Sequence, residues 1–316
     1  MKKVRSFISV MLSLLAIFSS CHKDEQIPLQ PYPRDCPSNG FDTMPQGVFY
    51  TDPIIYADSL NIEFPYFNPN NANEIIYYLG YKRELIKYNI ITKDKKKLYK
   101  GQLFNRAKWS RKRWILLPTS DGQIWKIKDD GTQLTQLTFG PIGHYSPEWN
   151  LEGTKFGCYA DNKYGGMMYD EFGVALDSFK HPLTGCWQGK DTNIVLGAGG
   201  NTIGYTDLYL DSFIKLFLWP QNYENEFYDS YWMQDGINAI VVANNGIYAF
   251  NMQTKKLTFL KQSCPHDSYR SLSISQSGKI LLQKSSWHYV GANRIFIQTS
   301  LVLMNTDGSG EVEIEL

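Results

Sequence analysis

The sequence predicts an all-β fold, a six-bladed β-propeller of four-stranded antiparallel blades. Three observations predict it. Six segments restart on one phrase: a large apolar residue ends a short strand, a tight turn follows, and a second apolar run begins. The anchors of that phrase are Phe67, Trp109, Trp149, Trp187, Trp232 and Ile274, spaced 42, 40, 38, 45 and 42 residues apart with 42 more to the end. A period near forty in a strand-rich chain means one four-stranded sheet per repeat. The composition, 43% hydrophobic and 15% aromatic over 316 residues, supports the large core that six packed sheets need.

The first segment lies outside the repeats. Lys2, Lys3 and Arg5 precede an apolar run from Phe7 to Phe18 that is too short to span a bilayer. It ends in Ser19-Ser20-Cys21. This resembles a bacterial lipoprotein signal, in which the cysteine is lipidated and becomes the new N-terminus. An ordinary signal peptide with an incidental cysteine is the alternative. His22-Lys23-Asp24-Glu25 resembles the surface-export signal of some Gram-negative lipoproteins, or is a solvated charged tether. Five prolines between residues 25 and 46 favour an extended spacer. The expected organisation is a signal peptide over 1–20, a lipidated Cys21 with a Pro-rich tether over 21–46, and the propeller over 47–316. The resemblance implies an outer-membrane lipoprotein, on the periplasmic or cell-surface side, held to the membrane by its acyl chains.

The third repeat carries the phrase most fully: Ser146-Pro147-Glu148-Trp149-Asn150-Leu151-Glu152-Gly153, followed by Thr154-Lys155-Phe156. The Trp is expected to fill the wedge between neighbouring blades, and the Gly to permit the turn into the second strand. This phrase resembles the TolB-type propeller repeat, Ser-Pro-x-Trp-Ser-Pro-Asp-Gly, with Asn150, Leu151 and Glu152 replacing Ser, Pro and Asp. Trp232-Met233-Gln234-Asp235-Gly236 and Ile274-Ser275-Gln276-Ser277-Gly278 keep parts of it. Later strands match as well. Ile124–Ile127, Gly246–Phe250 and Leu301–Met304 read as third strands, each followed by a turn and a fourth. The last repeat can supply four strands alone, so Val48-Phe49-Tyr50 and Ile54-Ile55-Tyr56 are left to add to an edge.

A net charge of +1 gives no reason to expect nucleic acid as a partner. The densest basic stretch, Lys93-Asp94-Lys95-Lys96-Lys97, reads as a solvated hairpin turn. Cysteine spacing shows no close Cys-x-x-Cys pair for zinc. Cys158 and Cys186 fall on neighbouring strands of successive repeats; buried free thiols are the favoured reading and a disulfide the other.

No Gly-x-Ser-x-Gly elbow occurs, and no length remains for a hydrolase domain. Gly197-Ala198-Gly199-Gly200 lacks the Lys-Ser/Thr of a phosphate loop and reads as a β-turn. No cofactor is expected. His144, His181 and His266 each precede an innermost strand, and His288 follows a second strand, so all four are expected at one face of the propeller. Propeller lyases of similar fold hold a divalent metal with channel histidines, an analogy of fold alone. Trp219 and Tyr223 sit in an extended aromatic and acidic loop suited to glycan binding. Two readings follow. The first is a propeller lipoprotein without enzymatic activity, binding a protein or glycan partner at the envelope. The alternative is a metal-dependent polysaccharide lyase or hydrolase using the loop histidines.

Overall fold

The structure, a computed structural model, describes residues 36, 39–40, 54–57 and 61–316 apart from 151, 162–164, 182–184, 188–192, 219–225 and 292–293. Cys21, Trp219 and Tyr223 therefore lie outside the described residues. The described chain is all-β, with no helix among its residues.

Strand β1 (Ile54–Ala57) comes first. Blade 1 follows with β2 (Ile62–Asn68), β3 (Asn71–Leu79), β4 (Glu84–Asn89) and β5 (Lys95–Lys100). Blade 2 holds β6 (Lys108–Trp109), β7 (Trp114–Pro118), β8 (Ile124–Lys128) and β9 (Thr135–Gln136). Blade 3 holds β10 (His144–Trp149), β11 (Lys155–Ala160), β12 (Gly165–Asp170) and β13 (Ala175–Phe179). Blade 4 holds β14 (Cys186–Trp187), β15 (Ile194–Gly199), β16 (Thr202–Asp207) and β17 (Ser212–Leu218). Blade 5 holds β18 (Phe227–Trp232), β19 (Asn238–Ala243), β20 (Gly246–Asn251) and β21 (Lys256–Gln262). Blade 6 holds β22 (Asp267–Ile274), β23 (Lys279–Tyr289), β24 (Arg294–Asn305) and β25 (Val312–Glu313). Each blade is an antiparallel meander, so the predicted propeller ring of six four-stranded blades stands.

The anchors do what the repeat phrase predicts. Trp149 is 5% exposed and packs against Leu116 and Ile124 of blade 2 and Phe156 of its own blade. Its indole N–H donates to the Lys108 carbonyl at 3.1 Å. Trp109 packs on blade 1 beside Ile76 and Leu85, and Phe67 on blade 6 beside Leu281 and Leu301. Each wedge thus belongs to one blade and seals against the blade before it. Gly153 takes φ +67° in the turn after β10, and a Cβ there would meet Ser110 Cβ at 2.9 Å. Asn150 Oδ1 braces the same turn by accepting from the Thr154 and Lys155 amides. The second strands are buried against neighbours on both faces, which is why they read as unbroken apolar runs.

The ring closes with strands from both ends of the chain in the sheet of blade 6. The last repeat supplies β22 to β25, and β1 adds to the edge of β24 as a parallel fifth strand, Ile54 opposite Arg294 through Ala57 opposite Ile297. The seam between blades 6 and 1 is held by side chains. The Ile62 amide donates to Thr299 Oγ1, the Phe67 amide to Ser273 Oγ, and the Tyr88 hydroxyl to the Glu315 carbonyl.

Several details depart from the sequence reading. Cys158 and Cys186 are buried free thiols, as favoured, whereas Cys36 forms a disulfide with Cys264, in the loop before β22. The segment expected to be tether is therefore pinned at Cys36, and Asn39 bonds both Pro265 and Tyr289. Of the basic run only Lys93 and Asp94 lie between strands; Lys95, Lys96 and Lys97 open β5, the outer strand of blade 1. Gly197–Gly199 end β15, leaving only Gly200 and Asn201 between the strands.

Candidate functional site

The inner strands begin at one face of the ring, called the upper face here, and bring one residue per blade to the axis. These residues directly precede the anchors: Tyr66, Lys108, Glu148, Cys186, Tyr231 and Ser273. Alternation along a strand explains the choice, since the anchor turns toward the preceding blade and its neighbour turns away. Across the axis, Tyr66 and Tyr231 share a hydroxyl–hydroxyl bond of 3.0 Å, and the Tyr66 hydroxyl donates to Glu148 Oε1 at 3.3 Å. Lys108 Nζ pairs with Glu148 Oε2 and lies 4.9 Å over the Tyr66 ring. These bonds join blades 1, 2, 3 and 5.

A second layer lies above, from residues three before the anchors. The Arg106 guanidinium pairs with Asp229 across the axis and donates through Nη1 to the Leu272 carbonyl at 2.8 Å. Asp229 Oδ2 also accepts from the Leu272 amide at 2.7 Å. Phe64, Ser146 and Ser271 occupy the equivalent place in blades 1, 3 and 6 with φ of 55°, 50° and 57°. Each sits at a β-bulge, between Glu63 and Tyr66, Tyr145 and Glu148, and Arg270 and Ser273. A left-handed residue other than glycine is disfavoured by about 1–3 kcal/mol. Such bulges re-aim the strand, here near the upper ends of three inner strands.

A polar cavity of about 240 Å³ lies against this axial plug of paired side chains, lined among others by Arg106, Lys108, Ser146, Cys186, Tyr228 and Asp229. Tyr228 is its aromatic lining residue, and further rings lie elsewhere on the upper face. Phe104, 54% exposed, meets Tyr145 edge-on, and Tyr145 lies against Tyr159. Tyr228, 40% exposed, lies under the Arg270 guanidinium at 5.1 Å. A second, more apolar hollow of about 350 Å³ opens along blade 4, sharing Gly185, Gly197 and Ala198 with the first. Gly185 has no room for a side chain, since a Cβ would fall 1.4 Å from the Leu196 carbonyl oxygen.

Electrostatics keeps the axis paired. Burial pushes the Glu148 carboxyl up, against the pull of Lys108 and Arg106. Burial draws the Arg106 guanidinium down, and Asp229 beside it more than restores it. The Cys186 thiol is pushed up to about 12 by burial and then by the Glu148 charge, so it is a protonated thiol at neutral pH.

The four histidines are not brought together. His144 opens β10, is buried, and bonds the Tyr169 hydroxyl through Nε2 at 2.7 Å. His181, between β13 and β14, lies against Phe213 and lines the blade 4 hollow. His266 stands just before β22 at φ +64°. His288 is within β23 beside Phe296, because the β23–β24 hairpin is much longer than its counterparts and reaches above the upper face; the expected loop placement is corrected. Among the described residues no group of three His, Cys, Asp or Glu could hold a metal ion. Loop position assigned the histidines a face, but not a place around the ring. The axial residues escaped notice because each looks like an ordinary strand residue. The available signal was their parity, one and three residues before each anchor.

No family model and no curated protein matches the sequence. Solved structures do. The nidogen/laminin complex is matched over 76% of this chain and 85% of that one, at 11% identity and a TM-score of 0.53. The C-terminal WD40 domain of Sif2 is matched over 70% of this chain, at 16% identity and a TM-score of 0.45, and this chain spans 66% of it, just under two thirds. At 11% identity the likeness to the nidogen/laminin complex is one of fold alone, and the six blades are those of the strand order.

Proposed function

We propose that this chain is an envelope-anchored propeller lipoprotein of the TolB type that binds a protein or glycan partner at its upper face. One observation carries the reading: a polar cavity at the upper end of the axis, floored by a network of paired charges and lined by the exposed ring of Tyr228. Proton-transfer catalysis requires a group placed to give or take a proton. The ionised groups here are committed to one another, Arg106 to Asp229 and Lys108 to Glu148. That favours recognition over chemistry, as does the scatter of the four histidines. A structure sharing this fold is a complex of nidogen with laminin, which supports a macromolecular partner. The cavity is smaller than the roughly 300–1,000 Å³ of drug-sized sites, so it would receive one side chain or one sugar ring from a larger ligand.

The test has two parts. A photo-crosslinking residue at Phe104 or Tyr228 is expected to capture a defined partner in cells, and the same probe at Tyr209, in the turn between β16 and β17 on the opposite face, is not. Equal capture from both faces would refute the site. Metabolic labelling with a fatty-acid analogue is expected to mark the wild type and spare Cys21→Ala; equal labelling would refute the anchor.

A further inference from the structure

Charge is distributed very unevenly over this molecule. Between Lys82 and Lys100 there are eight cations, Lys82, Arg83, Lys87, Lys93, Lys95, Lys96, Lys97 and Lys100, against two acids, Glu84 and Asp94. The whole chain carries only +1, so everything else is net acidic. The structure gathers these cations onto the outer wall of blade 1. Lys95, Lys96 and Lys97 are exposed on edge strand β5, Lys100 at its end, Lys82 and Arg83 in the turn before β4, and Lys93 in the turn after it. Neighbouring acids account for part of the charge. Lys87 pairs with Glu74, Lys97 with Glu84, and Lys96 lies near Asp130. Lys82, Arg83, Lys93, Lys95 and Lys100 have no ion-pair partner among the described residues.

We infer that this wall docks on an anionic lipid surface. The inference rests on the lipoprotein reading for its geometry. Cys36 is bridged to Cys264 just before blade 6, and β1 lies along the outer edge of that blade. Blade 1 is its direct neighbour, joined through the Tyr88–Glu315 bond. Cys21 is fifteen residues before Cys36, a reach of at most about 50 Å. The basic wall thus lies on the blade next to the one that carries this bridge. A propeller resting on this wall keeps its upper mouth open to the side. Lysines on an edge strand also discourage strand-to-strand association, a role that requires no lipid and is separated by the test.

The test is co-sedimentation of the full chain with vesicles of phosphatidylcholine alone or with 30% phosphatidylglycerol, as wild type and as Lys95→Glu/Lys96→Glu/Lys97→Glu. Each basic residue near an anionic surface contributes about 1 kcal/mol. The wild type is therefore expected to partition more strongly onto the anionic vesicles, and the variant to lose about 100-fold of that gain. The gain is also expected to vanish in high salt. Lys215→Glu/Lys255→Glu/Lys256→Glu, on blades 4 and 5, changes net charge equally and is expected to retain it. Running both backgrounds with Cys21→Ala separates the two readings. An acylated protein with no anionic gain overturns the wall; a wild type that carries no acyl chain yet keeps the gain overturns only the anchor. Equal loss in both triple variants overturns the proposal, as does binding to soluble heparin without preference for anionic vesicles. Matching thermal midpoints confirm that the variants are folded.

Discussion

Removing the Lys108 ammonium is the sharpest test of the axial network. Lys108 and Glu148 have side chains only 11% and 5% exposed, and they face each other beneath the cavity. Lys108→Met keeps most of the side-chain volume and strands the Glu148 carboxylate. Breaking one partner of a buried pair costs about 3–5 kcal/mol, which at about 2–4 °C per kcal/mol for a chain of this size is a fall of about 6–20 °C in Tm. The loss should depend on pH. Burial already raises the Glu148 carboxyl above its ordinary 4.5, and Lys108 is the strongest influence holding it down. Without Lys108 it rises further. A carboxyl raised in the folded state contributes stability that is present below its unfolded value and lost as pH rises through the folded value. The deficit of the variant is therefore expected to be largest at pH 8 and to shrink toward pH 5. Adding Glu148→Leu should recover most of it, because a buried pair replaced by apolar groups is often nearly neutral. Denaturant melts of all four corners of this cycle, from pH 5 to 8, supply the measurement. A deficit below about 1 kcal/mol that ignores pH, or a double variant no better than Lys108→Met, would refute the pairing.

Other predictions follow from the packing. Trp149→Ala should cost about 3–5 kcal/mol, as large aromatic truncations do, and an unchanged Tm would show that the anchor does not wedge the blades. Burial depresses the imidazole of His144, so its contribution to stability is present above about 6.5 and lost as pH falls through the folded value. His144→Gln, which can still bond Tyr169, should flatten that part of the fall between pH 7 and 5 in matched denaturant melts; an unchanged slope counts against it. The Cys36–Cys264 bridge spans 228 residues, for which loop entropy allows up to about 5 kcal/mol. Cys36→Ser/Cys264→Ser should lower Tm, and an unchanged Tm would show that the bridge fixes nothing the ring does not already hold.

The repeat was legible because its anchors perform one physical task six times. A wedge between sheets needs a bulky residue at a fixed place, and spacing alone reveals it even where the rest of the phrase has eroded, as at Trp187. Lys95–Lys97 were not legible as a strand, since an outer strand facing water needs no apolar alternation. The Cys36–Cys264 bridge was hidden for another reason: its partners approach only once the ring has brought the last blade back to the first. The histidines misled because they share a face without sharing a place on it. Arg106 and Asp229, 123 residues apart, meet because their blades lie across the axis from each other. Nothing in local sequence marks that meeting except position relative to Trp109 and Trp232.

The axial plug also explains how a ring of separate sheets presents one site. Each blade buries its own core against its neighbour, so neighbour packing alone would leave the opposite side of the axis unspecified. The bonds from Tyr66 to Glu148 and Tyr231, and from Arg106 to Asp229 and Leu272, tie blades that share no core. They set the separation of the upper strand ends, and with it the width of the cavity above. A substitution in this network should therefore act on binding as well as stability, by changing the distance between Ser146 and Tyr228 without touching either. Lys108→Met breaks the lower layer and removes an ammonium that lines the cavity, while leaving every cavity-facing ring in place. Loss of crosslinking at Tyr228 in that folded variant, at a pH where its stability matches wild type, would tie the plug to recognition. Retained crosslinking would confine it to stability.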